Sequence, residues 1–378
     1  MTSRCLHGGD GLAPAPWDTQ ARPLGAAMQR TALFFLLGAS ACSLGKVADR
    51  QTMLTAAPSI LSLPDVELAC ATGAALAPVV GALGEGKRAP HKALVMTLVS
   101  AGMCMEPVAW EAELARLGAL HAGQGAAVQD ALEAERRAHD TAARRYLAAW
   151  SHLEAAFGRV GDGCPTLDPE LNDDLLYLLG LSSGVLAVLH DRAAGGSVGV
   201  ALDVPRQVER ATVCLDNGRF WGAPRALQAS VWLAVPGAGP EGIDPKAVLA
   251  ESAALGDAAG VRLARAFQAQ ALGSSGDDAG LLAALGAHAA SVGSQPAAPA
   301  FALLDAYAHR IVQHESDRLW AATAGHRTPA GALGQRPGDV AAPPAGEGWD
   351  DLLDALLPGT DAPPADAPAP AASPTESK

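Results

Sequence analysis

Few side chains in this chain are spaced for chemistry. Gly180-Leu181-Ser182-Ser183-Gly184 has the GxSxG form of a serine-hydrolase elbow. That elbow needs a strand before the serine and a helix after it, because strain in the turn lifts the hydroxyl clear of the backbone. Asp174 to Leu179 taken alone could be the strand, but the surrounding chain supplies no β-branched partner strands. Small residues that let helices approach closely are therefore the first reading, and a Ser182 hydrolase is a minor alternative. His190-Asp191-Arg192 invites an acid/base reading, yet a His and an Arg in a helix's last turn simply complement its dipole. His309 and His314, with Glu315, do not have the HExxH spacing, so their imidazoles fall on different faces and no metal is expected. Phe220-Trp221, beside Gly222 and Pro224, read first as core and second as the wall of an apolar ligand cavity. Tyr177, His190 and Arg192 are the polar candidates for that cavity. The expectation is a protein that is not an enzyme and holds no cofactor.

The cysteines raise the question of compartment. Met28 to Cys42 runs from one positive charge (Arg30) through an apolar run beginning at Ala32 to small residues and a cysteine, the order of an export signal. The apolar run ends at Ala41, well short of the roughly 20 residues a membrane span needs. Ala39-Ser40-Ala41-Cys42 is similar to the lipobox of bacterial lipoproteins, in which the cysteine is lipidated and becomes residue one. On that reading 28-41 is the signal peptide, Met28 the expected start, and 1-27 a disordered leader. Ser43 rather than Asp after the cysteine points, by resemblance to Gram-negative lipoproteins, to the outer membrane. With Cys5 and Cys42 set aside, Cys70, Cys104, Cys164 and Cys214 remain, an even number that allows three connectivities in an oxidising periplasm. Pairing neighbours, Cys70 with Cys104 and Cys164 with Cys214, is the simplest; buried free thiols are the alternative.

Hydrophobic residues make up 49% of the chain but aromatic ones only 4%, so the core is built from Ala and Leu. Isoleucine occurs only at Ile60, Ile243 and Ile311. Ala and Leu are strong helix formers, whereas strands favour β-branched and aromatic side chains, so the fold expected is all-α. The net charge of −13 comes with no basic stripe, which argues against nucleic acid as a partner.

After a polar-apolar connector, helices are expected over about 63–83, 90–105, from 106, over 126–157, 168–190, from 203, over 221–235, 245–255, 257–272, 277–291 and 297–324. Pro and acid at their starts and Gly at their stops carry the assignment. On the longest, Tyr146, Trp150, Leu153 and Phe157 share a face. The order of starts and stops predicts stacked antiparallel helical hairpins over 42-325, a TPR-like superhelix in architecture without the strict period of that repeat. From 326 to 378 the composition turns to Pro, Ala, Gly and acid, expected to stay disordered. Within it, Trp349, Leu352, Leu353, Leu356 and Leu357 share one face of a short helix, 349-357, that either docks on a partner or folds back on its own domain.

Three further stretches carry a family likeness: Pro64-Asp65-Val66-Glu67-Leu68 after the lipobox; Ala142-Ala143-Arg144-Arg145-Tyr146-Leu147; and Asn172-Asp173-Asp174-Leu175-Leu176-Tyr177-Leu178-Leu179-Gly180 followed by Val204-Pro205-Arg206-Gln207-Val208-Glu209-Arg210-Ala211. Over roughly 42–235 the chain resembles the T-component family of periplasmic lipoproteins associated with TRAP transporters. The resemblance implies a TPR-like scaffold, lipid-anchored to the membrane, that works with the transporter's extracytoplasmic solute-binding protein. Organic acids or apolar small molecules would be the cargo. It carries over no ligand contacts and leaves a homo-oligomer open. The alternative function is a structural envelope lipoprotein that docks partners through its tail helix.

Overall fold

A computed structural model describes residues 44–340, and the lipobox cysteine and the tail helix at 349–357 lie outside them. Among the described residues every regular element is helical and no strand occurs. The all-α expectation holds.

The first helix, α1, runs through 44–51, continues as a π-helical turn at Thr52–Ala56 and ends in α2, Ala57–Leu61. This stretch was expected to be a connector. It is helical because it has an apolar side to bury: Met53, Ala57 and Leu61 all enter the core. The remaining helices are α3 (Val66–Gly81), α4 (His91–Met103), α5 (Glu106–His121), α6 (Gly125–Phe157), α7 (Asp173–Ala193), α8 (Val204–Ala211), α9 (Ala223–Ala234), α10 (Pro245–Ala259), α11 (Leu263–Ser274), α12 (Asp278–Ser294) and α13 (Ala302–Ala324). Aspartates cap several of them: the side chain of Asp65 accepts from Leu68 N at 2.8 Å, and that of Asp277 accepts from Gly280 N at 2.9 Å. Each such bond satisfies one of the amide groups left without a partner at a helix start.

The longest helix, α6, would extend about 50 Å at 1.5 Å per residue. It packs against α4, α5 and α7, while α9, α10 and α11 pack on one another and α11 on α13. Helix α13 also lies against α5 and so joins the two groups. Small residues set how closely they approach. A Cβ on Gly180 would strike Leu153, one on Gly184 would strike the Trp150 ring, and one on Gly102 would strike Tyr146. Helix α7 has the length and apolarity to cross a membrane, but 78% of its apolar window is buried inside the bundle, which marks it as a core helix.

Cys70 on α3 is bonded to Cys104 at the end of α4, and Cys164 after α6 to Cys214 after α8. This is the neighbour pairing among the three connectivities. Arg262, only 1% exposed, ties three late helices together. Its guanidinium donates to Asp305 Oδ2 at 2.7 Å, Ser291 Oγ at 2.8 Å and Ser291 O at 2.9 Å, and its backbone N–H donates to Asp305 Oδ1 at 2.9 Å.

By contacts the chain divides into one unit ending at Gly334 and another beginning at Gln335. The first unit therefore runs past the expected boundary at 325. Ala332 is buried, Leu333 packs on the core, Arg327 pairs with Glu111, and Thr328 N donates to Asp317 Oδ1 at 3.0 Å. The Pro- and Gly-rich composition hid this because the segment is held by a few specific contacts rather than by an apolar face of its own. In the second unit, the described residues end in a turn in which Asp339 N donates to Arg336 O at 3.1 Å.

Candidate functional site

Four helices bring one buried carboxylate together with two phenols and two imidazoles, and a fifth leaves them room. Glu106, the first residue of α5, is 1% exposed. Its Oε1 accepts from the hydroxyl of Tyr146 on α6 at 2.6 Å and from that of Tyr307 on α13 at 2.9 Å. His190 Nε2, on α7, is 3.4 Å from the same oxygen, and His190 Nδ1 is 2.7 Å from Nδ1 of His139 on α6. Helix α4 contributes the space, because the Tyr146 ring lies where Gly102 has no side chain. The imidazole of His190 stacks on that ring, with centroids 5.5 Å apart and planes 14° apart.

The proton arrangement follows from the donors available. A hydroxyl has one proton, so both phenols spend theirs on Glu106. If His190 Nε2–H donates to Glu106, its Nδ1 must accept, and His139 supplies the Nδ1–H between the rings. Both histidines are neutral in this arrangement. Burial, reinforced by the neighbouring His190, pushes the His139 imidazole down to about 4, in line with that assignment. Burial and the nearby Glu106 carboxylate push both phenols, Tyr146 and Tyr307, well above their ordinary value. The second oxygen of Glu106, Oε2, is buried without a hydrogen-bond partner.

Two turns further along α5, Glu113 accepts from His314 Nε2 of α13 at 3.1 Å, and the His314 ring stacks on Trp110 at 4.6 Å. Burial would raise the Glu113 carboxyl, but His314, Arg318 and Arg116 outweigh it and hold it below the usual range. Glu106 meets Tyr307 and Glu113 meets His314, so both helices advance seven residues in the same direction. Helices α5 and α13 therefore run parallel here.

Beside the two phenols is a largely enclosed cavity of about 50 Å³. Its walls come from α2, α4, α6, α7, α11 and α13, and almost all of them are apolar, with Met96, Met103, Phe267 and Ile311 among them. Its polar lining is Tyr146, Tyr307, Ser182, Ser100 and Gln270.

The residues singled out in the sequence are dispersed. Tyr177 is 1% exposed and meets the edge of Phe157, with its phenol pushed up to about 12 by burial and the nearby Glu154. Arg192 is exposed at the end of α7. Phe220 is buried, and Trp221 packs on Phe301 at 4.5 Å while its backbone holds a φ of 54°, a rare conformation for a bulky residue that its packing must maintain. None of Tyr177, His190, Arg192, Phe220 and Trp221 lines the enclosed cavity, although His190 reaches the carboxylate behind its phenols. Ser182 does line it, but from the middle of α7, where its hydroxyl donates to Leu178 O at 3.0 Å. No strand precedes it, so the strained elbow of a serine hydrolase is not formed. His309 turns toward His288, with the ring nitrogens 3.0 Å apart, while His314 turns toward α5. Among the described residues no group of three or more His, Cys, Asp or Glu is placed to hold a metal ion.

Sequence reasoning missed Glu106, Tyr307 and His139 as a set, and it placed Tyr146 among core aromatics. In the sequence Glu106 marks only the position from which a helix is expected. The one available hint was scarcity, since the chain has just three tyrosines and two of them serve this carboxylate. Comparison with protein-family models, with curated proteins and with solved structures finds no match.

Proposed function

We propose that this chain is an extracytoplasmic helical binding scaffold, held at a membrane by an acyl chain on Cys42, that takes a small molecule between its two groups of helices. The observation that carries the reading is the enclosed apolar cavity closed at one side by two phenols on a buried carboxylate. A bundle stabilised only by apolar packing has no need of such a group, since burying a carboxylate is expensive unless it is well hydrogen-bonded. The two disulfides favour an oxidising compartment, in keeping with the signal-like stretch before Cys42. The resemblance to the T-component family extends the proposal to a TPR-like superhelix that hands its cargo to the solute-binding protein of a TRAP transporter.

The test is affinity purification of the full chain after cross-linking in its native envelope. An extracytoplasmic solute receptor should be the principal partner, and mass spectrometry should find a diacylglyceryl cysteine at the mature N-terminus. Recovery of unacylated protein from the cell interior, with its thiols reduced, would overturn the reading.

A further inference from the structure

We infer that the enclosed cavity selects a compact apolar molecule ending in a hydrogen-bond donor, an amine or an alcohol, and rejects carboxylates. The inference rests on the cavity being a ligand site, and it follows from counting protons.

Four hydroxyls line the cavity, and each has its single proton committed elsewhere. Tyr146 and Tyr307 donate to Glu106 Oε1 at 2.6 and 2.9 Å, Ser182 donates to Leu178 O and Ser100 to Met96 O, both at 3.0 Å. What these groups have left to offer is oxygen lone pairs, which accept. Gln270, half-buried, is the one lining residue whose side chain carries N–H groups. No Lys, Arg or His lines the walls. Behind the phenols stands Glu106, whose Oε2 is buried and unpartnered.

A carboxylate entering this space would lose its hydration, meet acceptors and approach a second carboxyl group without a cation to offset the charge. An N–H or O–H group meets lone pairs that are already buried and oriented. Size sets the second limit. The cavity volume of about 50 Å³ is a third of the roughly 150 Å³ that admits benzene, so it fits a molecule of a few heavy atoms as it stands. Met96 and Met103 in the wall are unbranched and adaptable, so a slightly longer chain is accommodated by moving a methionine. The organic acids implied by the family likeness are excluded from this cavity on these grounds.

The two methionines also provide the assay. In the full chain with 13C-methyl methionine, Met96 and Met103 signals are assigned by substitution and followed during titration with ethylammonium chloride, ethanol and sodium acetate, and under xenon. Either donor probe should shift both methyls saturably, while acetate leaves them unmoved. Tyr307→Phe should weaken the donor probe by about threefold or more, the loss of one hydrogen bond. Tyr146→Phe should do the same, and if it fails to fold the wild-type series and Tyr307→Phe decide. Acetate binding as well as the donors would overturn the inference. So would xenon entering while neither donor binds, which would leave the cavity reading in place. Failure of all four probes, xenon included, would remove the ligand-site reading and this inference together.

Discussion

Arg262 and His139 show how single residues in this chain depend on partners far away in sequence. Arg262 is a fully buried cation whose guanidinium neutralises Asp305 and caps carbonyls at the end of α12. Removing one partner of a buried ion pair leaves the other charge desolvated and alone, which costs about 3–5 kcal/mol. Arg262→Met should lower the unfolding free energy by that much in urea, with Arg262→Lys recovering only part because one ammonium cannot reach all the acceptors. His139 makes a prediction about acid. The unfolded chain takes up a proton near 6.5, but the folded imidazole does so only near about 4. Between those values the unfolded state binds a proton that the folded state cannot, so stability is full above pH 6.5 and is lost as pH falls toward 4. Glu315, raised by burial, works in the opposite sense. The decisive measurement is therefore the difference between wild type and His139→Gln, and the variant's urea midpoint should fall less between pH 7.5 and 4.5.

Among elements, the α6–α7 contact is one that small residues make possible. The GxSxG stretch supplies its two glycines, and each faces a large side chain of α6. Overpacking a filled site forces neighbours off their rotamers at about 1–3 kcal/mol. Gly184→Ala should lose that amount in denaturant titration, whereas Ser182→Ala on the same helix should stay within about 1 kcal/mol, because its hydroxyl only doubles a bond within the helix. A hydrolase would show the reverse pattern of sensitivity in its chemistry, with Ser182 the essential position. The same reasoning explains why the α5–α13 pairing was not visible beforehand. The seven-residue spacing of Glu106 and Glu113, and of Tyr307 and His314, can be read along each helix. Nothing local says that the two helices lie side by side, some two hundred residues apart in the chain.

For the whole molecule, the disulfides are the main constraint on the unfolded chain. They close loops with sequence separations of 34 and 50, and a chain-entropy account gives about 4 kcal/mol for each. Reduction with a phosphine at neutral pH should therefore lower the melting temperature markedly. Cys70→Ser/Cys104→Ser and Cys164→Ser/Cys214→Ser should each produce a part of that loss. Free thiols in the denatured, unreduced protein, counted by alkylation and mass spectrometry, would show that the bridges are not formed.

Composition and punctuation determined most of the local structure. An interior of Ala and Leu with few aromatics permits helices and disfavours sheets, and the Asp and Pro starts at Asp65, Asp168, Asp244 and Asp277 are local hydrogen-bonding events that a sequence displays directly. Boundaries came close for α3, α4 and α6, whereas the break expected after 255 falls at 260–262, so that α10 runs on to Ala259 and α11 begins only at Leu263. The stretch from 44 to 61 and the segment beyond 325 were misjudged because their order comes from docking onto surfaces supplied by other parts of the chain. The cavity and the Glu106 cluster belong wholly to tertiary structure. Their residues come from helices spread across the chain, none is unusual in its own helix, and only the folded arrangement leaves a carboxylate with two phenols and an apolar space beside them.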